Sequence, residues 1–490
     1  MTDVAVSPGA DGSTAPDAPL PDLAVRGSMA GAIAALGGGE ILARLVAFAT
    51  TTVLARRLGP EGFGILGFAS ALCGYFALAV GGGLNDLAAR DVARHPAGAT
   101  GIYRLVLAVR MPLALGALAL LAGAAWMLPR PDAHRAVIAL SGLSLISLAL
   151  DPSWAIKALR RSGLAALAMV GTQTLALVGV ALLVLGPADV LRVPVVQFVA
   201  EATSGLLLAV FVLRAGAAPA PRWGDGLALL RESAPLVFGR SMRVVIVSFD
   251  MVMLGVVASN RDVGIYAAVY RVHFFVLALV VAVQAAYLPV MARAATRGPA
   301  DLRIVSDQAL AGAAVIGAPL VAGGLVTAGP LLALLFGPPY ADGARALQWL
   351  LVSLCFVFVH GLLHNVYVVT ARTPLEARWF AAAAAINVLA NLWLIPRYGI
   401  AGAAAATALA EGVIACGGVL VSRVSGVGAV AAGWAKPAGA ALLMAAVVWG
   451  VGDGVPVAWR CALGASVYGA AILALVGPRT AVAHLRLQLP

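Results

Sequence analysis

Residues 263–291, VGIYAAVYRVHFFVLALVVAVQAAYLPVM, decide the fold of this chain. The run is almost wholly apolar and is longer than the roughly 20 residues with which an α-helix crosses a bilayer. Arg271 nevertheless lies within it. A cation at bilayer depth costs roughly 2.5–3.5 kcal/mol on insertion scales, so it normally faces a polar cavity. Further arginines lie within other apolar runs, and the set predicts a cavity for an anion: Arg44, Arg110, Arg240 and Arg243.

The composition of the 490-residue chain excludes a soluble protein. Hydrophobic residues make up 62% of it and charged residues 11%. In hydrocarbon every backbone N–H and C=O must be paired within the element, and long continuous apolar runs supply helices, whereas the strands of a barrel alternate. The sequence therefore predicts an all-α, polytopic membrane protein among membrane lipids, with about 14 transmembrane helices.

The formal net charge of +11 does not indicate a nucleic-acid partner, because the basic residues stand singly in short loops. Lys and Arg are more frequent after the even-numbered apolar runs and in the two tails than in the other loops. Cytoplasmic loops carry such an excess in membrane proteins. The bias predicts a multi-pass protein of the cell (cytoplasmic or inner) membrane with both termini cytoplasmic.

An internal repeat divides the chain. Gly59-Pro60-Glu61-Gly62-Phe63-Gly64-Ile65 aligns with Ser259-Asn260-Arg261-Asp262-Val263-Gly264-Ile265 at an offset of 200 residues. An even number of predicted helices separates the copies, so the halves share one orientation, and such repeats place a substrate between two lobes. The predicted order is a disordered cytoplasmic tail (1–28), an N-terminal six-helix lobe (29–213), an interlobe linker (214–232), a C-terminal six-helix lobe (233–421), and two extra transmembrane helices with a cytoplasmic tail (422–490).

Several segments, in order, carry a resemblance to a known family. They are LARRLGPEGFG at 54–64, DMVMLG at 250–255 with VGIYAAVYR at 263–271, FGPPY at 336–340, and Asn387 with NLWLIPRYGIAGAA at 391–404. The chain resembles the polysaccharide transporter family, the Wzx-like flippases of lipid-linked oligosaccharides within the multidrug/oligosaccharidyl-lipid/polysaccharide exporter superfamily. The resemblance extends over nearly the whole chain after the tail.

The resemblance implies two six-helix bundles that form a V around a central cavity and open alternately to each side. It implies a polyprenyl-pyrophosphate-linked oligosaccharide as substrate, moved from the cytoplasmic to the outer leaflet for cell-surface polysaccharide biosynthesis. An enzyme is not expected, because the connections are short and hold no carboxylate pair or Ser/His arrangement. No cofactor and no metal are expected.

The intramembrane arginines are the predicted ligands of the pyrophosphate, since the planar guanidinium suits phosphate oxygens. Arg271 leads the set, which also contains Arg240, Arg243, Arg44 and Arg110. Two interpretations compete with this role. Glu40, four residues before Arg44, can neutralise it. Arg110 can lie shallow enough to reach the cytoplasmic surface with its side chain.

Intramembrane carboxylates can carry a coupling H+ or Na+ in transporters. The candidates are Glu201, Glu411, Asp250 and Glu40, although Glu201 and Glu411 can equally be structural. A polar stripe at helical spacing is predicted to bond across helices or to contact sugars: His360, His364 and Tyr367. The HxxxH pattern can also bind a metal, but no third ligand is evident.

Two other transport functions remain as alternatives. A lipid II flippase for peptidoglycan would share the cationic cavity. A multidrug or cation antiporter of the same superfamily would instead line its cavity with acids and aromatic residues, whereas this sequence places more arginines than acids in its apolar runs.

Overall fold

The computed structural model describes residues 29–214, 216, 223–422, 424, 426–452 and 454–476. Throughout this part of the chain the regular elements are helices and no strand occurs, which confirms the predicted all-α membrane fold. The predicted tail at 1–28 lies outside the described residues. So do residues 215 and 217–222 of the predicted linker.

The N-terminal half of the chain, as far as Leu213, contains the first eight α-helices. One membrane crossing, Asp132–Ala158, consists of three of them in sequence. It is interrupted at Gly142 and again at Asp151, where the following Pro152 disfavours a helical conformation. The helices are α1 (Met29–Gly81), α2 (Leu84–Arg94), α3 (Ala99–Met127), α4 (Asp132–Ser141), α5 (Leu143–Leu150), α6 (Ser153–Ala158), α7 (Ser162–Leu183) and α8 (Arg192–Leu213).

The C-terminal half and the final helices follow from Trp223. They are α9 (Trp223–Val257), α10 (Asn260–Arg297), α11 (Pro299–Phe336), α12 (Ala344–Val369), α13 (Thr373–Ser422), α14 (Val427–Gly450) and α15 (Val457–Val476). The start of α9 at Trp223 precedes the predicted start at 233. The reason is that residues 223–232 are amphipathic: Leu229 is buried among residues of the N-terminal half, while Asp225 and Arg231 are exposed. A search for apolar runs does not detect such a segment.

Two of the helices are long enough to cross the membrane twice. α1 turns at Gly59, whose φ of 67° favours glycine, and α13 turns at Gly399, whose φ is 55°. By length and composition 11 helical segments can span a membrane, with α1 and α13 counted once each, and α9 adds the shorter apolar segment Ser248–Val257. With both kinked helices counted twice, the described chain agrees with the predicted number of about 14 crossings.

The two copies of the sequence repeat meet at one end of the bundle. We call this the hairpin end, and the opposite end the linker end. At Gly64 an added Cβ would lie 1.9 Å from the carbonyl oxygen of Asn260, and at Gly264 it would lie 1.8 Å from that of Pro60. One turn further, a Cβ at Gly67 would lie 2.9 Å from the Cβ of Ala267. We call the contact of Gly64 and Gly67 with Gly264 and Ala267 the glycine seam.

Hydrogen bonds between α1 and the C-terminal half reinforce the seam. The Arg56 side chain donates from Nε to the carbonyl oxygen of Leu335 at 2.9 Å and from Nη2 to that of Leu334. These carbonyls belong to the last turn of α11, where a helix has no internal donors for them. The Tyr340 hydroxyl donates in the opposite sense, to the carbonyl oxygen of Ala55 at 2.9 Å. The first crossing is thereby tied to the C-terminal half.

Arg130 makes a second connection between the halves. It follows α3 and donates from Nη1 to Oδ1 of Asn260 at 2.6 Å and from Nη2 to the carbonyl oxygen of Gly255. Its guanidinium also lies 5.2 Å from the ring centroid of Phe68. The structure is therefore closed between its halves at the hairpin end.

Candidate functional site

Arg271 lies on the face of α10 that contacts the N-terminal half. Gly264, Ala267 and Arg271 follow one another at spacings of three and four residues, so they share one helix face. Arg271 comes one turn after the seam, about 16 Å along α10 from Asn260 at 1.5 Å per residue. Its side chain is exposed, and no described residue pairs with its guanidinium. Within the described part of the chain, a cation without a partner thus stands one turn below the seam.

Arg44 lies on the opposing helix α1. The rings of Phe48 and Phe275 join α1 and α10 with their centroids 5.2 Å apart. Arg44 precedes Phe48 by one turn and Arg271 precedes Phe275 by one turn, but the two helices run in opposite directions. The arginines therefore flank the ring pair, roughly 12 Å apart along the bundle axis.

A polar cavity of about 730 Å³ lies within the N-terminal half. Gly74 lines it and lies two turns beyond Gly67 on the same face of α1. A Cβ at Gly74 would lie 4.0 Å from Oγ of Ser248 in α9, so the cavity lies beside the contact between the halves. Arg271 is not among its lining residues. The charged lining residues are Glu40, Arg44, Asp151, Lys157 and Glu201, and hydroxyl and amide groups come from Ser144, Ser147, Ser153, Thr172, Gln173 and Ser204.

Glu40 and Arg44 form an ion pair in this cavity. The distance from Nη2 of Arg44 to Oε1 of Glu40 is 2.6 Å, and both side chains are about half exposed. The neutralisation considered from the sequence is therefore present. Glu201 faces the same space, and the buried hydroxyl of Ser147 beside it has no partner among the described residues.

Arg110 is placed apart from these groups. The side chain is 1% exposed, and Nη2 donates to Oδ1 of Asn85 and, at 3.5 Å, to the carbonyl oxygen of Gly81. It joins α3 to the connection between α1 and α2 at the linker end. This position favours a structural role over both pyrophosphate binding and a side chain that reaches the surface. Spacing alone could not indicate it, because the partner lies 25 residues away.

The remaining two candidate arginines cannot be placed in the same way. Arg240 and Arg243 belong to α9, but their side chains lie outside the described residues.

Asp250 is the most deeply buried of the candidate coupling residues. It is 0% exposed, and its Oδ2 accepts hydrogen bonds from the hydroxyls of Tyr266 and Tyr270, both at 2.6 Å. Thr407 donates to the same oxygen at 3.4 Å, and the N–H of Met251 donates to Oδ1 at 2.7 Å. One carboxylate therefore ties together α9, α10 and the second crossing of α13, and short O–H···O bonds of this kind are strong when the acceptor is ionised.

The histidines predicted to contact sugars are hydrogen-bonded to carboxylates. His360 Nε2 lies 2.6 Å from Oε2 of Glu411, and His364 Nδ1 lies 2.8 Å from Oε1 of Glu376. Tyr367 is buried, and its hydroxyl donates to the carbonyl oxygen of Gly418 at 3.4 Å. These contacts join α12 to α13, as the interhelical alternative predicts. Within the described chain, no group of three His, Cys, Asp or Glu residues is placed to hold a metal.

Sequence reasoning missed Glu376 and the tyrosines that bind Asp250. Glu376 stands at a helix start, where an acidic residue is ordinary, so nothing marked it as buried. Tyr266 and Tyr270 are 16 and 20 residues from Asp250. Their shared spacing of four residues on an apolar run was the available signal. Asn387 and Asn391 are buried and bond to each other at 3.0 Å within α13.

A family model for polysaccharide biosynthesis proteins matches residues 30–295, more than half of the chain. The chain belongs to this family. A second family model, for the lipid II flippase MurJ, matches residues 175–464. Together these matches place the exporter in the superfamily that the sequence resembles, and they confirm that resemblance. Both families consist of transporters. No curated protein matches the sequence significantly.

Solved structures show the same fold. The inward closed conformation of the lipid II flippase MurJ has a TM-score of 0.74 at 11% identity, with 90% of this exporter and 98% of that chain covered. The inward-facing conformation of a multidrug resistance MATE family transporter has a TM-score of 0.62 at 16% identity, covering 80% and 97%. A crystal structure of MATE in complex with MaD5 has a TM-score of 0.52 at 18% identity, covering 81% and 96%. The likeness at these identities is one of fold.

Proposed function

We propose that this exporter flips a polyprenyl-pyrophosphate-linked oligosaccharide from the cytoplasmic to the outer leaflet of the inner membrane, for cell-surface polysaccharide biosynthesis. The observation that carries the proposal is Arg271. Its side chain is exposed and has no partner among the described residues, on the helix face that contacts the N-terminal half. An unpaired cation at bilayer depth is costly and normally serves a pathway. A pyrophosphate supplies the oxygens that a guanidinium binds with paired hydrogen bonds.

In this proposal the two halves act as lobes that open alternately. The glycine seam and the bonds of Arg56 and Arg130 close the hairpin end, which we assign to the outside because basic residues are concentrated at the other end. The headgroup then enters from the linker end. Arg44 offers the headgroup a second cation once Glu40 shares the Arg44 guanidinium with the headgroup or releases it. The cavity beside Arg44 provides hydroxyl and amide groups for sugars.

A lipid II flippase is the second candidate. The match of the lipid II flippase family to residues 175–464 favours it, and its substrate carries the same pyrophosphate chemistry. A multidrug or cation antiporter has less support, because Arg271, which no described residue pairs with, is a cation and repels cationic cargo.

Transport in proteoliposomes tests the proposal. The purified protein is reconstituted with fluorescent polyprenyl-pyrophosphate oligosaccharide, with lipid II, or with a cationic dye, and the accessible fraction in the outer leaflet is followed against protein-free vesicles. We expect protein-dependent movement of the oligosaccharide lipid. Movement of lipid II alone would support the second candidate, and movement of neither lipid would contradict a flippase function.

A further inference from the structure

The His–Glu pairs of the C-terminal half lie on neighbouring turns of α12. His360 and His364 are four residues apart, so they share a helix face. Both line one cavity of about 320 Å³, to which Gln284 contributes a further polar group. His360 and Glu376 also line a smaller shared space with Tyr367. Polar cavities of this size can hold water that bridges side chains. Water in this shared space would connect the two pairs.

We call His360 and Glu411 the inner pair. From this pair, polar groups continue toward Asp250. Glu411 follows Thr407 by one turn of α13, and the Thr407 hydroxyl lies 3.4 Å from Oδ2 of Asp250. His273 of α10 lies close enough to Glu411 to interact with it electrostatically. The ring of His273 is also 5.8 Å from that of Tyr270, which binds Asp250. Groups that can pass a proton thus extend from α12 to α9.

Burial increases along this series of groups. The His364 side chain is 40% exposed, and its partner Glu376 is 9% exposed. In the next pair the histidine is far more enclosed, with His360 at 7%, and Glu411 at 12% is about as buried as Glu376. Asp250, at the end, is 0% exposed. Such a gradient leads from an accessible entrance near the start of α13 to the interior.

We propose that protons are the coupling ion and that they move along this row, from Glu376 and His364 through His360 and Glu411 to Asp250. The proposal rests on the proposed flippase function and specifies its energy source. Imidazole exchanges protons near neutral pH, whereas hard cations prefer oxygen ligands. Two histidines paired with carboxylates therefore fit a proton path better than a sodium path.

Each transfer moves one proton and leaves no other bond changed. A proton taken up by the His364–Glu376 pair is passed through the shared cavity to the His360–Glu411 pair, which returns the first pair to its original state. From Glu411 it passes by way of the Thr407 hydroxyl to Asp250, and it leaves Asp250 on the other side when the hairpin end opens, so that one proton crosses in each cycle. The protonated carboxyl group no longer attracts both tyrosine hydroxyls as an anion. The attachment of α10 to α9 weakens, and α10 carries Arg271.

The charged and titratable groups around the row come from each helix packed against it. His273 faces it from α10, Asp250 from α9, and Glu376 and Glu411 from α13. Arg372, in the turn between α12 and α13, lies near Tyr367 at the entrance, as Glu376 does.

The experiment is reconstituted transport with an imposed pH difference. One pH unit corresponds to a factor of ten for each proton exchanged. We expect it to shift the leaflet distribution of the oligosaccharide lipid by up to about tenfold in the unaltered protein. The double variant His360→Gln/Glu411→Gln keeps a hydrogen-bonded pair but cannot carry the proton. It should still equilibrate the lipid and lose the shift. Glu376→Gln, outside the inner pair, should do the same.

His134→Gln is the matched control, because His134 lies in α4, away from the row, and should retain the full shift. A shift of normal size in the double variant would overturn the proposal, as would a shift driven by a sodium gradient alone. If the unaltered protein moves the lipid without any response to pH, the proton proposal fails and the flippase function stands. If it moves no lipid, both fail.

Discussion

Arg271 and Arg44 carry the same charge but differ in what already binds it. Arg44 shares its charge with Glu40 at 2.6 Å, whereas no described residue pairs with Arg271. An anion that approaches Arg44 must compete with a carboxylate, but one that approaches Arg271 replaces only water. The difference makes Arg271 the stronger proposed ligand of a phosphate group.

Replacement of Arg271 tests this at the scale of one side chain. Arg271→Ala should weaken binding of the oligosaccharide lipid roughly ten- to a hundredfold, because a charge-assisted contact contributes about 1.5–3 kcal/mol. Arg271→Lys should recover part of the binding, since the charge remains and the planar fork is lost. The measurement is titration of detergent-solubilised protein with the fluorescent lipid.

Arg293→Ala, an exposed change near the linker end of the same helix, is the control and should bind normally. Thermal unfolding should be little changed in all three proteins. Unaltered lipid binding by well-folded Arg271→Ala would show that the arginine does not hold the pyrophosphate.

The partners of individual side chains could not be predicted from the sequence. The five arginines could be recognised as costly, because their cost depends only on their position in an apolar run. Whether each one is free depends on contacts between distant helices. Arg110 bonds to Asn85, and His360 bonds to Glu411. These contacts depend on how distant helices pack, which helical periodicity does not describe.

The corresponding helices of the repeat, α1 and α10, contact each other at the hairpin end. α1 and α10 approach so closely at Gly64 and Gly264 that a Cβ on either would overlap a backbone carbonyl of the other half. The repeat and its glycines were visible in the sequence. Their mutual contact was not, because a repeat indicates which segments correspond without showing which of them touch. The start of α9 was likewise missed, since its first turns are amphipathic.

A side chain in the seam should therefore open it. Gly64→Val should separate the halves at the hairpin end and destabilise the closed form by about 1–3 kcal/mol, the usual cost of overpacking. A cysteine in place of Met251, in a background without the native cysteines, adds no volume and is buried beside Gly67 in the closed structure. It should become reactive toward a polar maleimide in the Gly64→Val protein.

Gly116→Val is the matched control, because nothing lies within 4 Å of a Cβ at Gly116. The cysteine at position 251 should stay protected in that protein. Protection that persists in Gly64→Val, with normal expression, would mean that the seam tolerates a side chain and does not close the exporter.

For the whole molecule, composition and apolar runs were sufficient to predict the fold class and the number of crossings. Hydrocarbon permits few alternatives to helices, so the class followed from solvent alone. Orientation depends on the bias of Lys and Arg between the two ends. The described structure places Asp262 and Ala341 at the hairpin end and Ala158 and Thr373 at the linker end, which makes the bias testable.

Cysteines at these four positions should label in two groups. Those at Asp262 and Ala341 should react with a membrane-impermeant reagent added to intact cells, while those at Ala158 and Thr373 should react only after the membrane is opened. Expression of each single-cysteine protein is checked in parallel. The reverse grouping would invert the orientation, and labelling of all four from one side would contradict the arrangement of the ends.

The glycine seam has a further consequence for speed. Side chains that come together usually each settle into one rotamer, and the lost freedom slows and weakens their contact. Glycine and alanine have no rotamers to lose. The glycines and the alanine of the seam can therefore separate and come together again in every cycle without first settling into rotamers. The longer side chains of Arg56, Arg130 and Tyr340 must find their carbonyls again each time. The rate of closure at the hairpin end is then set by these three side chains rather than by the helices that they join.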